Sequence, residues 1–186
     1  VEEVSGYAGD EVTVNINVNN NPGICSAGVT VSYDGTALEL KSVENGTVLE
    51  GIVPVNVANN PCKILWNTLA DSTANGVLAT LTFTIKEDAD LGKSAITLTY
   101  DPDEVYNIDM TNVTFAVQNG AVTVNCNHTA GAWEEETPAS CTEKGSEVQK
   151  CTKCGTVLNR RDIDALGHSF GDWETETSPD CTNKGS

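Results

Sequence analysis

Cys151-Thr152-Lys153-Cys154-Gly155 is the stretch of this chain with the plainest chemistry. Two thiolates separated by two residues can chelate one ion from a single tight turn, and the glycine after the second lets the backbone curl around it. His128 and Cys141 lie upstream. Together the four make one imidazole and three thiolates, a closed tetrahedral zinc set. The same cysteines can instead pair as disulfides or stay as thiols, since the protein is expected to be extracellular. Cys126 is either a competing ligand or a spare thiol.

These residues sit in a repeat. HTAGAWEEETPASCTEKGS (128–146) returns as HSFGDWETETSPDCTNKGS (168–186), with 11 of 19 positions identical, among them His128/His168, Trp133/Trp173 and Cys141/Cys181. A constant offset of this kind marks tandem modules of about 40 residues. The reading is a complete unit over 126–166 and a truncated second copy over 167–186, whose CxxC would lie beyond Ser186. With only His168 and Cys181, the second copy has too few ligands to close a site, so it is expected to stay disordered. Val1 likewise reads as the edge of a mature or excised segment. The tryptophans are expected to cover the small core of each unit. The unit is similar to repeats of the form H-x4-W…CT-x2-G…C-x2-CG that recur in surface proteins of gut and rumen Firmicutes, and it is read as a spacer.

Composition removes several function classes. The formal charge is −17, with 16 acids against 4 bases in residues 1–125 and 11 against 6 in 126–186. So acidic a chain is repelled by phosphate backbones and anionic lipid, so nucleic-acid and membrane partners are not expected. No run of eighteen apolar residues is present to span a bilayer. Both histidines lie in the tail, and no nucleophile sits in a Gly-flanked elbow or P-loop, so no enzyme is expected.

The first 125 residues must position whatever the chain binds. EVTVNINV (11–18), SAGVTVSYD (26–34), VLATLTFTI (77–85) and AITLTY (95–100) alternate apolar and polar residues with period two, the mark of half-buried strands. FAVQNGAVTV (115–124) reads as a hairpin around Asn119-Gly120. Turn signals at Asp34-Gly35, Asn45-Gly46 and Asn75-Gly76 punctuate the chain, and no long 3.6-residue period appears. The pattern predicts an all-β, antiparallel two-sheet sandwich followed by a small irregular Cys-rich tail. Cys25 and Cys62 are predicted to be unpaired, because antiparallel pairing of the strands that follow them would hold them ~26 Å apart. In DPDEVYNID (101–109) the spacing of Asp101, Asp103 and Asp109 hints at calcium, but solvated loop carboxylates are the preferred reading.

GDEVTVNINVNNNPGICSAGVTVSYDGTALEL, TANGVLATLTFTIKEDADLGKSAITLTY and FAVQNGAVTV, in this order and spacing, resemble a cohesin module. The likeness spans roughly residues 3–125. It implies a jelly-roll receptor on a cellulosome scaffoldin, extracellular or at the cell surface, monomeric and without a cofactor in the sandwich. The implied partner is a calcium-loaded dockerin, and the implied role is assembly of a polysaccharide-degrading complex. The resemblance places the partner on a sheet of strands at 26–33, 52–59, 63–71 and 94–100. Ser26, Gly28 and Thr30, then Thr68, Ala70 and Asp71, are the implied contacts, with Gly28 leaving a flat patch. Trp66 is either a core plug or an exposed anchor; the alternation leaves both open. The alternative function is carbohydrate binding, for which Trp66, Tyr7 and Tyr106 are the available aromatics.

Overall fold

The structure, a computed structural model, describes residues 1–53, 55–169, 171–172, 174 and 180–182. The chain divides into two compact units, Val1–Asn127 and His128–Ser186. Much of the expected disordered copy, including Trp173, lies outside the described residues.

The first unit contains eight strands: β1 Glu3–Tyr7, β2 Glu11–Val18, β3 Ile24–Tyr33, β4 Leu38–Asn45, β5 Cys62–Ser72, β6 Gly76–Ile85, β7 Gly92–Tyr100 and β8 Gly120–Asn125. They form two sheets, β1-β8-β7-β3-β5 and β2-β6-β4. The period-two residues meet between them as the core: Val14, Ile16, Ala27, Val29, Val31, Leu81, Phe83, Ile85 and Ile96 are all buried. Tyr33 meets Phe83 edge-on, with 5.1 Å between ring centroids, a geometry that the ring quadrupoles favour.

Three expectations need correction. The pair β1–β8 is parallel, so the sandwich is not wholly antiparallel. Residues 115–119 form no strand, and Asn119-Gly120 is not a hairpin turn. Instead the Asn119 side chain accepts from the Leu98 N–H at 3.0 Å, and Gly120 opens β8 where a Cβ would strike the Glu2 carbonyl just before β1. The described residues of the segment 52–59 also form no strand. Ile52 makes one isolated bridge to Trp66, and the Val53 N–H donates to the Leu65 carbonyl at 2.8 Å.

Trp66 is a core plug, 1% exposed. It points inward with Cys62 and Ile64, and its indole N–H reaches the Asn45 side chain at 2.8 Å, so the one polar atom of a buried ring is satisfied. It is therefore withdrawn from the partner-binding set.

Cys25 and Cys62 are free thiols. Cys62 lies opposite Val31, six residues along β3 from Cys25, or roughly 20 Å at 3.3 Å per residue. Burial pushes both thiol pKa values up, and the neighbouring Asp71 charge adds to the effect at Cys25. The native state thus keeps a proton that the unfolded chain releases, so these groups weaken the fold as pH rises past the ordinary cysteine value. Thiol labelling followed by mass mapping should leave both unmodified from pH 7 to 9 in folded protein and modify both in denaturant. Rapid labelling of either in the folded chain would contradict the burial argument.

Candidate functional site

The outer face of the β3–β5–β7 surface is built in cross-strand rows. Thr30 lies opposite Lys63 on one side and Thr99 on the other, Gly28 opposite Leu65, and Ser26 opposite Asn67. Because successive residues alternate faces, Lys63, Leu65 and Asn67 point outward on β5 while Cys62, Ile64 and Trp66 point inward.

The chain after β7 then covers part of this face. It leaves the strand at Asp101, makes a 3-10 turn over Pro102–Glu104 and resumes pairing at Tyr106, opposite Ser26. The backbones of Tyr106 and Ser26 exchange hydrogen bonds at 3.2 and 3.3 Å. Glu104 reaches across Gly28 to form an ion pair with Lys63. A Cβ at position 28 would come within 2.9 Å of Glu104 Cβ and 3.0 Å of Leu65 Cδ2. Asp101 caps the turn by accepting from the Asp103 N–H, and Asp103 accepts from the Asn112 amide, each at 3.0 Å.

Beyond Asn67 the pleat is broken. The register runs Ser26↔Asn67 and then Ile24↔Ser72, so the four residues 68–71 oppose Cys25 alone. A bulge re-aims the side chains it carries, and this one lifts Leu69 to 98% exposure. Its base is pinned: the Thr68 hydroxyl reaches the Cys25 and Ala70 carbonyls at 3.0 and 2.9 Å. Asp71 accepts from the Ile108 N–H at 2.8 Å, which brings the loop carrying exposed Ile108 and Met110 beside it.

The residues expected at an interface therefore have different fates. Ser26 is buried, its hydroxyl within reach of the Trp66 and Glu104 carbonyls at 3.2 and 3.4 Å. Gly28 is buried beneath Glu104, which corrects the expected flat patch. Thr30 stays half-exposed on the outer face. Thr68 is half-buried and engaged within the bulge, whereas Ala70 and Asp71 are exposed. Leu65 and Leu69 are exposed as well and were not among the expected contacts. Once Ile64 and Trp66 are set inward, an apolar residue at the outward position 65 is the signal that could have found Leu65. For Leu69 nothing in the sequence marks the bulge.

In the second unit, β9 Ala130–Thr137, β10 Gly145–Cys151 and β11 Val157–Ile163 form a sheet in the order β11-β10-β9. Arg161 stacks over Trp133, 4.3 Å from the ring centroid. Strand β10 ends at Cys151, and the chain turns through Cys154 and Gly155, whose φ of 74° is in the left-handed region that glycine enters at no steric cost. The Lys153 N–H points at Cys151 Sγ, 3.4 Å away. Cys154 Sγ lies 3.3 Å from His128 Nδ1 and 3.3 Å from the Thr156 hydroxyl.

Cys126, His128, Cys151 and Cys154 place one ligand atom each within 4.8 Å of one another, a set of Cys and His groups suited to a metal ion. Hydrogen bonding to the Cys151 sulfur first, then to that of Cys154, raises the His128 pKa above its ordinary value. Three of the four expected ligands are thus brought together. Cys141 is not: it is exposed, and its carbonyl accepts from the Gly167 N–H at 3.1 Å. The three loop aspartates Asp101, Asp103 and Asp109 form no such group among the described residues.

The sequence profile of the cohesin domain matches residues 1–124. This chain belongs to the cohesin family. It is 31% identical over 109 residues to cellulose-binding protein A of Clostridium cellulovorans, an alignment that takes in 55% of this chain but 6% of that protein's length. Among solved structures, the cohesin fold aligns with the sixth cohesin of Acetivibrio cellulolyticus scaffoldin B, solved in complex with a mutant Cel5 dockerin, at 28% identity and a TM-score of 0.59; the match covers 67% of this chain and 95% of that one. It also aligns with the seventh ScaB type I cohesin of Pseudobacteroides cellulosolvens at 27% identity and a TM-score of 0.61, covering 69% and 91%.

Within this cohesin, Gly28 is the position where the covered and open parts of the outer face meet. Gly28→Ala must push Glu104 off the strand and free Lys63, at a cost of about 1–2 kcal/mol. Urea unfolding should show that loss, with faster amide exchange over 101–106. A variant as stable as the parent, with unchanged exchange, would mean that Glu104 is not seated on β3.

Proposed function

We propose that the sandwich, residues 1–125, is a scaffoldin module that binds a calcium-loaded dockerin through the outer face of β5 and its neighbours, and so helps assemble a polysaccharide-degrading complex outside the cell. The observation that carries this reading is Leu69. A leucine 98% exposed, raised on a bulge pinned by Thr68 and Asp71, is costly to leave in water and suits a partner's apolar pocket. Leu65, Ile108 and Met110 are exposed around it, and Thr30, Lys63 and Asp71 supply a polar rim. The dockerin complex solved for the Acetivibrio relative supports the same class of partner. The unit carries 4 bases against 16 acids, a charge of −12, so a partner with basic groups at its rim is favoured. The role is non-catalytic.

The burial of Trp66 disfavours carbohydrate binding as the main role. A polysaccharide platform needs a row of exposed rings, and the ring best placed for one is a core plug.

We further infer that the tail holds a structural zinc ion. A Cys3His set suits zinc in a closed tetrahedral site, and the unit has little else to fold around. Among its described residues only Val148 and Cys151 are buried apolar side chains.

A screen of the full chain against dockerins by calorimetry, in calcium and in chelator, tests the main reading. Binding should require calcium, with the ion held by the dockerin. Leu69→Asp should weaken binding 10-fold or more with no loss of stability, because it offers a charge to an apolar contact. Equal affinity for Leu69→Asp and the parent would move the interface elsewhere.

A further inference from the structure

We propose that a metal at His128, Cys151 and Cys154 is closed by Cys126, which has no cysteine counterpart at its offset in the second copy, and that Cys141, which both copies carry, is not a ligand. The proposal rests on the reading that the tail takes zinc and specifies the site that would hold it.

Repetition is the usual guide to a ligand set, and here it points to Cys141, since Cys141 and Cys181 occupy the same place in the two copies. The geometry points to a different thiol. The sulfur of Cys126 falls within 4.8 Å of the ligand atoms of His128, Cys151 and Cys154. Tetrahedral zinc with Zn–S near ~2.3 Å and Zn–N near ~2.0 Å requires ligand atoms roughly 3.5–3.8 Å apart. The contact between Cys154 Sγ and His128 Nδ1, at 3.3 Å, is already at that separation, and the others close on an ion with shifts of about 1 Å.

The Lys153 N–H aimed at Cys151 Sγ is a donor that orients the sulfur, the role of outer-shell groups at metal centres, and Cys154 Sγ is held in turn by its hydrogen bond to the Thr156 hydroxyl oxygen. His128 itself has a φ of 21°. A non-glycine residue held there is strained, and such strain gathers where a side chain must point in one direction. Cys126 is joined to His128 through Asn127 alone, so the short Cys-x-His segment delivers two ligands from one side and the CxxC turn two from the other.

Cys141 lies outside the group: its thiol is exposed, and its backbone carbonyl accepts from the Gly167 N–H at the entrance to the second copy. At the offset of Cys126 the second copy has Leu166. The fourth ligand is therefore not one that the second copy repeats.

Alkylation of the full chain in the presence of one equivalent of zinc, with mass mapping of the modified thiols, tests this directly. Cys126, Cys151 and Cys154 should be protected by zinc and released together by chelator, while Cys141 reacts at the same rate in both states. In a competition titration against a chromophoric chelator, Cys141→Ser should bind one zinc with the parent's affinity, whereas Cys126→Ser should lose 100-fold or more. Zinc protection of Cys141 with reaction at Cys126, or zinc loss in Cys141→Ser alone, would overturn the ligand assignment and leave zinc in the tail. A parent chain that takes up no zinc and has its tail cysteines in disulfides would overturn both.

Discussion

Strand β3 is hydrogen-bonded along both edges, to β5 on one side and to β7 and Tyr106 on the other, and the organisation of the sandwich follows from that constraint. With its backbone committed, the strand can neither rotate nor slip, since a one-residue shift would exchange its two faces. Ala27, Val29 and Val31 are therefore fixed in the core. Ser26, Gly28 and Thr30 are fixed on the outer face, where their small size lets other chain lie upon them. The interruption after β7 uses this room: Glu104 seats where position 28 has no Cβ, and Tyr106 takes up the pairing that β7 relinquishes. The outer face that remains is consequently centred on β5.

On β5 the exposed apolar group is a consequence of pairing as well. Thr68 to Asp71 have no partners of their own on β3, and the strand buckles outward over them. A bulge normally leaves polar groups loose, but here the Thr68 hydroxyl and the Asp71 carboxylate tie it to neighbouring backbone. Leu69 is thus presented by a rigid element, which lowers the ordering cost of contact with a partner.

The strands and their inward residues were legible from alternation alone, since period-two burial between two sheets leaves a direct trace in residue type. What was not legible depends on tertiary pairing. The parallel β1–β8 contact joins residues more than a hundred positions apart, and no local pattern marks it. Asn119-Gly120 carries the composition of a tight turn, yet its glycine answers to a close approach by the Glu2 carbonyl. Gly28 read as an open patch because sequence does not show that Glu104 returns across it. In the tail, the repeat marks His128 and Cys141 alike, whereas the structure brings Cys126, not Cys141, to His128 and the CxxC pair.

Cysteine illustrates how one residue type is put to opposite uses in the two units. In the sandwich, burial among apolar side chains pushes the Cys25 and Cys62 thiols toward the neutral form, and they behave as small hydrophobes filling the core. The tail has no such interior to offer. Its sheet is tied by exposed ion pairs such as Lys150–Glu134, Arg160–Glu136 and Arg161–Glu147, each worth only about 0.5 kcal/mol, and by the stacking of Arg161 on Trp133. Those contacts fall far short of the cost of ordering a chain of this length. A tetrahedral ion supplies on the order of 10 kcal/mol to coupled folding, and it does so only where thiols can ionise. Burial suppresses that ionisation at Cys25 and Cys62, whereas at the Cys151–Cys154 turn an N–H is directed at the Cys151 sulfur and Cys154 is exposed. The environment, more than the spacing of the cysteines, separates the thiols of a core from those of a Cys/His cluster.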